Sequence, residues 1–449
     1  MKAYRGIIFV IVVSVLASVA TAYWNGTLFQ TSFTDWSDDS QYYNARALSL
    51  LHTGSLGEDQ AQFRRPPAYP LFLAAIYGVF GERIAVAWVA NIALFSLSLF
   101  LLWWLALQWL VGMRSYVVPL LCGLYGGFHY YVFSVGSEML SVFLLLVLLF
   151  FLLRYRESQE MRYLILFGVA GGALALTKPI FLYAVPILLG GIAYQMRQYK
   201  GSLRHAGVAF AIVLFFVGGW AARTYALFGE LQTERSGHIV YTRALYGTLS
   251  LRDAGIHLLA SVTNDYVADQ LFPGYGDDPV ATRLGVMRIT AFRELRADGY
   301  ENKEIERILF GRGVSEAMRH PLMFAAGAVP LLFDLNTPEN FNGFPVTRMF
   351  VGTRNTIAPW QKIAIVLGIR AMWFFFLAVV VTGMIRAART ALPNIGPLVF
   401  LVAFANISHA FLIIPPEPRF LVPVLPLYVM FFVMGARAIV DKLSKKSII

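Results

Sequence analysis

The sequence predicts an all-α, polytopic membrane protein of about ten transmembrane helices, and two observations carry that prediction. First, 58% of the 449 residues are hydrophobic and only 14% are charged, with a mean hydropathy of +0.61. A soluble chain of this length exposes far more polar surface, so the apolar excess faces lipid. Second, apolar runs of the roughly 20 residues that a bilayer crossing needs recur along the whole chain. Soluble globular classes are excluded.

Hydropathy and charge together place the spans at about residues 6–22, 84–111, 116–133, 138–154, 162–177, 180–196, 206–223, 361–385, 394–414 and 420–438. With the amino terminus cytoplasmic, basic clusters such as Arg154/Arg156/Arg162, Arg197/Lys200/Arg204 and Lys442/Lys445/Lys446 all fall on the cytoplasmic face, as the positive-inside rule requires. The carboxyl terminus falls there too. Only three acids, Glu157, Glu160 and Asp441, share that face. This asymmetry accounts for the net charge of +11 and implies no nucleic-acid partner. The start of the chain, ending in Ala20-Thr21-Ala22, has the look of a signal peptide. It reads as an uncleaved first span, because its loss would leave the later topology unanchored. Cys122 is the single cysteine, which excludes an intrachain disulfide. Gly168 and Gly172 give span five a small-xxx-small face suited to helix packing.

Two further apolar stretches, 67–80 and 321–334, are short for a crossing. Counting either one alone as a span inverts the loops after it and breaks the charge rule. They read as re-entrant or interfacial helices. The organisation that follows is a transmembrane catalytic module over 1–223 with an external loop at 23–83, an external loop domain over 224–360, and a carboxyl-terminal transmembrane module over 361–449. The two external segments, Glu82 included, hold 21 of the 26 acids. Within the second, 281–297 and 302–319 show apolar positions at helical spacing between charges, giving two amphipathic helices, the later one closed by Pro321.

Candidate chemistry gathers in the first external loop. Asp35, Asp38 and Asp39 precede an amphipathic helix over about 40–53 that ends at Gly54. Asp39, Tyr43 and Ala47, four residues apart, share one face of it. Capping by Ser37 or Asp38 explains one acid at this helix start and explains a pair less well. The loop ends in Arg64-Arg65-Pro66-Pro67-Ala68-Tyr69-Pro70, two arginines beside a stiff Pro-Pro at headgroup depth. Snorkelling or lipid contact is the ordinary reading, and a defined anion site is the sharper one. Glu138 opens span four, Lys178 sits in the turn between spans five and six, and Glu417 and Arg419 occupy the last external turn. All these residues project to one membrane face, the composition of a site where a carboxylate takes a proton and cations hold a phosphate.

Asp38-Asp39 with Tyr43, Ala47 and Gly54, followed by Arg-Arg-Pro-Pro-x-Tyr-Pro, resembles the first external loop of the GT-C-fold glycosyltransferases of the protein O-mannosyltransferase and ArnT-like superfamily. Glu138, Leu174-Ala175-Leu176-Thr177-Lys178-Pro179, Ala317-Met318-Arg319-His320-Pro321 and Glu417-x-Arg419-Phe420 extend the resemblance over most of the chain. It implies a hexosyl- or pentosyltransferase in a bacterial plasma membrane, taking a sugar from a polyprenyl-phosphate donor and passing it, with inversion, to an acceptor hydroxyl outside the cytoplasm. The acceptor is a protein, a lipid or a glycan. The family's catalytic acid falls on Asp39, with Asp38 as the alternative, and its second-loop acid on Glu138. Donor-phosphate contacts fall on Arg65, Arg64, Lys178 and Arg419, and substrate contacts on Tyr43, Tyr69 and Glu417. ArnT-like enzymes carry a metal-binding glutamate where this sequence has Arg64. The seven histidines show no paired ligand spacing, so no metal ligand is assigned, although a divalent metal is compatible with the family.

Two other classes bear on the same residues. A transporter or flippase for a lipid-linked anion predicts ionisable residues at the bilayer midplane and broken helices, whereas here the charges gather on one face. A non-catalytic assembly subunit predicts that Asp38→Ala and Asp39→Ala leave activity intact.

Overall fold

The computed structural model describes residues 2–29, 38–56, 65–198, 201–229, 237–337, 358–390, 392–413 and 417–446, and every regular element among them is helical. The chain begins α1 (Lys2–Trp24), α2 (Asp38–Thr53), α3 (Ala68–Phe80), α4 (Ile84–Ala106), α5 (Arg114–Gly123), α6 (Gly126–Val132) and α7 (Glu138–Ser158). It continues with α8 (Met161–Ala175), α9 (Phe181–Gln195), α10 (Ser202–Phe228), α11 (Gly237–Ala244), α12 (Leu251–Val262) and α13 (Asp265–Leu271). The remainder is α14 (Val280–Ala297), α15 (Asn302–Arg319), α16 (Pro321–Ala326), α17 (Ala328–Leu335), α18 (Pro359–Arg389), α19 (Gly396–Leu412) and α20 (Leu425–Lys446).

Among the described residues, six helical segments are long and apolar enough to cross a membrane: Tyr4–Trp24, Ile84–Ala106, Glu138–Ser158, Ser202–Leu227, Pro359–Arg389 and Pro418–Ser444. The chain is an integral membrane protein. The other expected spans are shorter or interrupted. The stretch 116–133 is divided between α5 and α6, where Gly123, Gly126 and Gly127 lower helix propensity together. The α3 helix has 13 residues, about 20 Å at 1.5 Å per residue. The stretch after Pro321 divides at Gly327 into α16 and α17.

The chain forms two compact units, one of Met1–Glu234, Val380–Val402 and Val422–Ile449, the other of Arg235–Val379 and Ala403–Leu421. In the first, α7 is surrounded by protein: Leu145, Leu148, Leu149, Leu152 and Leu153 are all fully buried. The α8 helix packs on α10 at two glycines. A Cβ on Gly168 would lie 2.8 Å from the Ala209 carbonyl oxygen, and one on Gly172 would lie 2.8 Å from the Phe216 ring. Close approach of this kind is how apolar helices gain contact where lipid supplies no hydrophobic drive. The α2 helix stops at Gly54, whose φ of +70° suits a helix terminus without a Cβ penalty. The Tyr77 hydroxyl donates to Asn44 Oδ1 at 3.0 Å, joining α3 to α2, and the Ala68 N–H donates to the Leu176 carbonyl at 3.1 Å. The second bond ties α3 to the turn after α8.

The second unit contains the expected amphipathic helices, α14 and α15, which share a core of Ala291, Leu295, Ile305 and Leu309. A capping box of Glu301 and Glu304 starts α15. The crossing of α11 on α15 is close because Gly313 has no side chain; a Cβ there would sit 2.8 Å from the Tyr241 nitrogen. Two buried arginines brace this unit through carbonyls. Arg243 donates to Phe324 at 2.6 Å and Ala410 at 3.1 Å, and Arg370 donates to Val262 at 2.8 Å.

Candidate active site

Asp39 lies in the first turn of α2, where the helix dipole favours an acid. Tyr43 and Ala47, one and two turns on, are buried at 5% and 0% exposure, so the register places Asp39 on the inward face. Arg65, the last residue before Pro66-Pro67, donates from its guanidinium to Asp39 Oδ1. The same guanidinium stands 5.9 Å above the Tyr43 ring. Tyr43 in turn meets Tyr69 of α3 edge to face, with centroids 5.0 Å apart. Residues 26 positions apart in sequence are thereby closed into one unit by the α2–α3 pairing.

The second ion pair lies deeper. Lys178 Nζ donates to Glu138 Oε1 at 2.8 Å. Their side chains are 17% and 9% exposed, against 34% for Arg65 and 19% for Asp39. Glu138 opens α7, and Gly136 leaves room for its carboxylate. Tyr43 sits between the two pairs. Burial pushes its hydroxyl up to about 12; Arg65 opposes this, while Glu138 and Asp39 reinforce it. At neutral pH it is therefore a neutral donor. Asp39, Arg65, Tyr43, Tyr69, Glu138 and Lys178 are thus neighbours. Glu417 and Arg419 belong to the other unit, where they pair with each other and Arg419 lies 5.5 Å from the Phe420 ring. Arg64 lies outside the described residues, as does the side chain of Asp38.

Residues 64–220 match the family described as dolichyl-phosphate-mannose-protein mannosyltransferase. As a fold, the chain is similar to the archaeal oligosaccharyltransferase AglB from Archaeoglobus fulgidus, solved with an inhibitory peptide and a dolichol-phosphate. That match has a TM-score of 0.51 at 14% identity, covering 99% of this chain and 51% of that one. The apo form of the A. fulgidus oligosaccharyltransferase matches at TM-score 0.52 and 15% identity, over 97% of this chain and 51% of that one. This chain has the GT-C fold. It spans about half the length of the GT-C oligosaccharyltransferase structures it matches. A weaker likeness, TM-score 0.40 at 12% identity over 95% of this chain and 76% of that one, relates it to ArnT from Cupriavidus metallidurans bound to undecaprenyl phosphate. No curated protein matches it in sequence.

Within this GT-C fold, the described donor set does not make a divalent-cation site. Asp39 and Glu138 are each held by a cation. Among the described residues no group of three or more His, Cys, Asp or Glu comes together. Beside the Asp39–Arg65 pair is a narrow recess lined by Tyr42, Arg46, Arg65, Trp220 and Arg223, among others. Sequence reasoning passed over Arg46, Trp220 and Arg223. Arg46 follows Tyr42 by one turn, and its guanidinium lies 5.1 Å from that ring. Arg223 follows Trp220 by three residues and lies 5.0 Å from the indole. The aromatic–arginine spacing i, i+3 or i+4 was the available signal.

Proposed function

We propose that this protein is a glycosyltransferase that moves a sugar from a polyprenyl-phosphate donor to an acceptor hydroxyl at the non-cytoplasmic membrane face, inverting the anomeric centre with Asp39 as general base. The observation that carries the reading is the contrast between two neighbouring ion pairs. Glu138–Lys178 is nearly closed off, while Asp39–Arg65 is more open and borders the arginine-lined recess. The homology over 64–220 adds support, since that family is named for a dolichyl-phosphate-mannose donor. So does the fold, seen in an oligosaccharyltransferase solved with dolichol-phosphate.

In this reading the acceptor oxygen attacks the anomeric carbon as its proton passes to Asp39. The bond from that carbon to the phosphate oxygen breaks, and the lipid phosphate leaves with the bonding pair. Arg65 both orients Asp39 and meets the departing charge, using the planar fork that suits carboxylate and phosphate alike. Lys178 holds Glu138 in place, and the pair supplies a fixed field behind Tyr43, while Tyr43 and Tyr69 form the wall against which the substrate is held. Asp38 is the neighbouring alternative base. No step is routed through a metal. Roles for Arg64, Glu417 and Arg419 rest on the sequence resemblance.

The test uses purified protein in lipid nanodiscs with radiolabelled polyprenyl-phosphate sugars and membrane extract as acceptor source. Wild type is expected to consume donor, and Asp39→Asn to be slower by on the order of a hundredfold or more, the usual scale for a positioned general base. Absence of donor consumption by wild type, or an Asp39→Asn rate equal to wild type, overturns the reading.

A further inference from the structure

The second unit leaves one helical face uncovered. On α15, Ile305 and Leu309 turn inward against Ala291 and Leu295 of α14, and Gly313 seats the α11 crossing. The opposite face carries Phe310, Val314 and Met318, spaced so that they form one row; they are 48%, 44% and 77% exposed. Leu322, one further turn along the chain, is 84% exposed, and no residue of its helix, α16, is buried. Lys303 and Arg307, both exposed, continue the row toward the start of α15. The acids of α15 are engaged elsewhere. Glu304 closes the capping box, Glu306 stands 2.8 Å from His238 Nδ1, and Glu316 pairs with Arg319 at 2.8 Å.

This row runs into an apolar surface on neighbouring helices of the same unit. Phe324 of α16 meets Phe411 near the end of α19, with ring centroids 6.4 Å apart. Arg243 ties the same two segments through the Phe324 and Ala410 carbonyls. Beside Phe411, Ile407 and Leu412 of α19 are also exposed, as residues facing lipid are. The next helix, α17, packs on α18, which is long and apolar enough to cross a membrane. Phe333 meets Phe374 edge to face with centroids 5.7 Å apart, and Trp373 Nε1 donates to the Asn336 carbonyl at 2.8 Å. A contiguous apolar row of this kind is rarely left uncovered in water. An acidic protein partner would match the cations but would not explain why the row continues onto a membrane helix.

We propose that the row from Lys303 to Leu322 is a membrane-docking surface. Phe310, Val314, Met318 and Leu322 lie among the upper acyl chains, and Lys303 and Arg307 lie against anionic lipid headgroups. Helices that rest in the interface sink their apolar face about 5–10 Å into the boundary between headgroups and chains. Their long cationic side chains reach back to the headgroups. The buried side of α15 holds α14 and α11, so docking this one helix anchors that part of the second unit to the bilayer. The inference does not depend on the transferase reading.

Fluorescence quenching in nanodiscs tests it with neither donor nor acceptor present, so a chain without transfer activity would leave it standing. Val314→Cys, Met318→Cys and Leu322→Cys are made separately in a Cys122→Ser background and labelled with an environment-sensitive fluorophore. All three positions are exposed, so a label displaces no core, and thermal midpoints matching the unlabelled chain verify this. Lipids brominated on the upper acyl chain are expected to quench each label more strongly than soluble iodide does. Lys303→Glu with Arg307→Glu should raise the iodide-accessible fraction by about fivefold or more in discs containing phosphatidylglycerol, and by less in phosphatidylcholine discs. Quenching by iodide but not by brominated lipid at all three positions puts the row in water and overturns the proposal. Protection from both quenchers would mean that protein covers the row, as a second copy or another part of this chain, and overturns it too. Equal accessibility of the charge-reversed and parent chains in anionic discs overturns the headgroup contact.

Discussion

At the scale of single residues, the Glu138–Lys178 pair makes a specific stability prediction. Both side chains are mostly buried, so removing one partner leaves the other as an uncompensated charge. Lys178→Ala is expected to destabilise the folded protein by about 3 kcal/mol, the lower end for breaking a buried pair. Adding Glu138→Gln in the same chain should recover part of that loss, because the stranded charge is gone. Thermal unfolding of the two variants in detergent checks this; strictly additive losses would show that the pair is solvated and energetically separate. Asp39 and Arg65 were legible in the sequence for a physical reason. Asp39 sits in register with Tyr43 and Ala47, and Arg65 abuts two prolines that fix its approach. The partnership of Glu138 with Lys178 was not legible as a pair, since 40 residues and two helices separate them. Arg46 and Arg223 were passed over because each resembles something common. Arg46 looks like the wet side of an amphipathic helix, and Arg223 like a snorkelling residue at the end of a span. Only the meeting of α2 with α10 distinguishes them.

At the scale of elements, α13 carries an acid whose burial has a measurable consequence. Asp265 is raised from its ordinary 3.8 to about 6, chiefly by burial, with Asp334 adding to the rise and His257 opposing it. Tyr275 lies close enough to feel both acids, and Asp334 also stands 3.4 Å from His257. The folded chain therefore holds this proton more tightly than the unfolded chain does. Its contribution to stability is full below about pH 4 and is lost as pH rises through 6. The upper bound is about 3 kcal/mol at 1.36 kcal/mol per unit, reduced by the partial exposure of Asp265. Unfolding midpoints measured from pH 4 to pH 7.5 should fall through this group, and Asp265→Asn should flatten the fall. An unchanged slope in the variant would assign it to other groups. The helices around Asp265 were not individually legible in the sequence. By contrast, α14 and α15 were legible because their apolar positions recur at helical spacing and Pro321 stops the second. The break between α5 and α6 went unread because hydropathy counts Gly123, Gly126 and Gly127 as tolerable within a span, although they are poor helix formers.

At the scale of the whole molecule, the single cysteine makes sidedness measurable. One set of short connecting segments holds 15 Lys and Arg against three acids, while 21 of the 26 acids lie on the other set. Positive-inside bias acts on short loops, so this pattern predicts Ser55 on the non-cytoplasmic side and Ser444 on the cytoplasmic side. The assignment depends on α3 not crossing. Its 13 residues span about 20 Å, short of a hydrocarbon core of about 30 Å. If α3 did cross, one additional passage would bring the carboxyl terminus to the same side as Ser55. Cys122 is buried and is replaced by serine to give a thiol-free background. Ser55→Cys and Ser444→Cys are then introduced separately. In sealed vesicles exposing the non-cytoplasmic face, a membrane-impermeant maleimide is expected to label Ser55→Cys and to leave Ser444→Cys unlabelled until detergent is added. Labelling of both before detergent would make α3 a crossing helix. Labelling of Ser444→Cys alone would place Asp39 and the arginine recess on the cytoplasmic side, where an acceptor from outside the cytoplasm could not reach them.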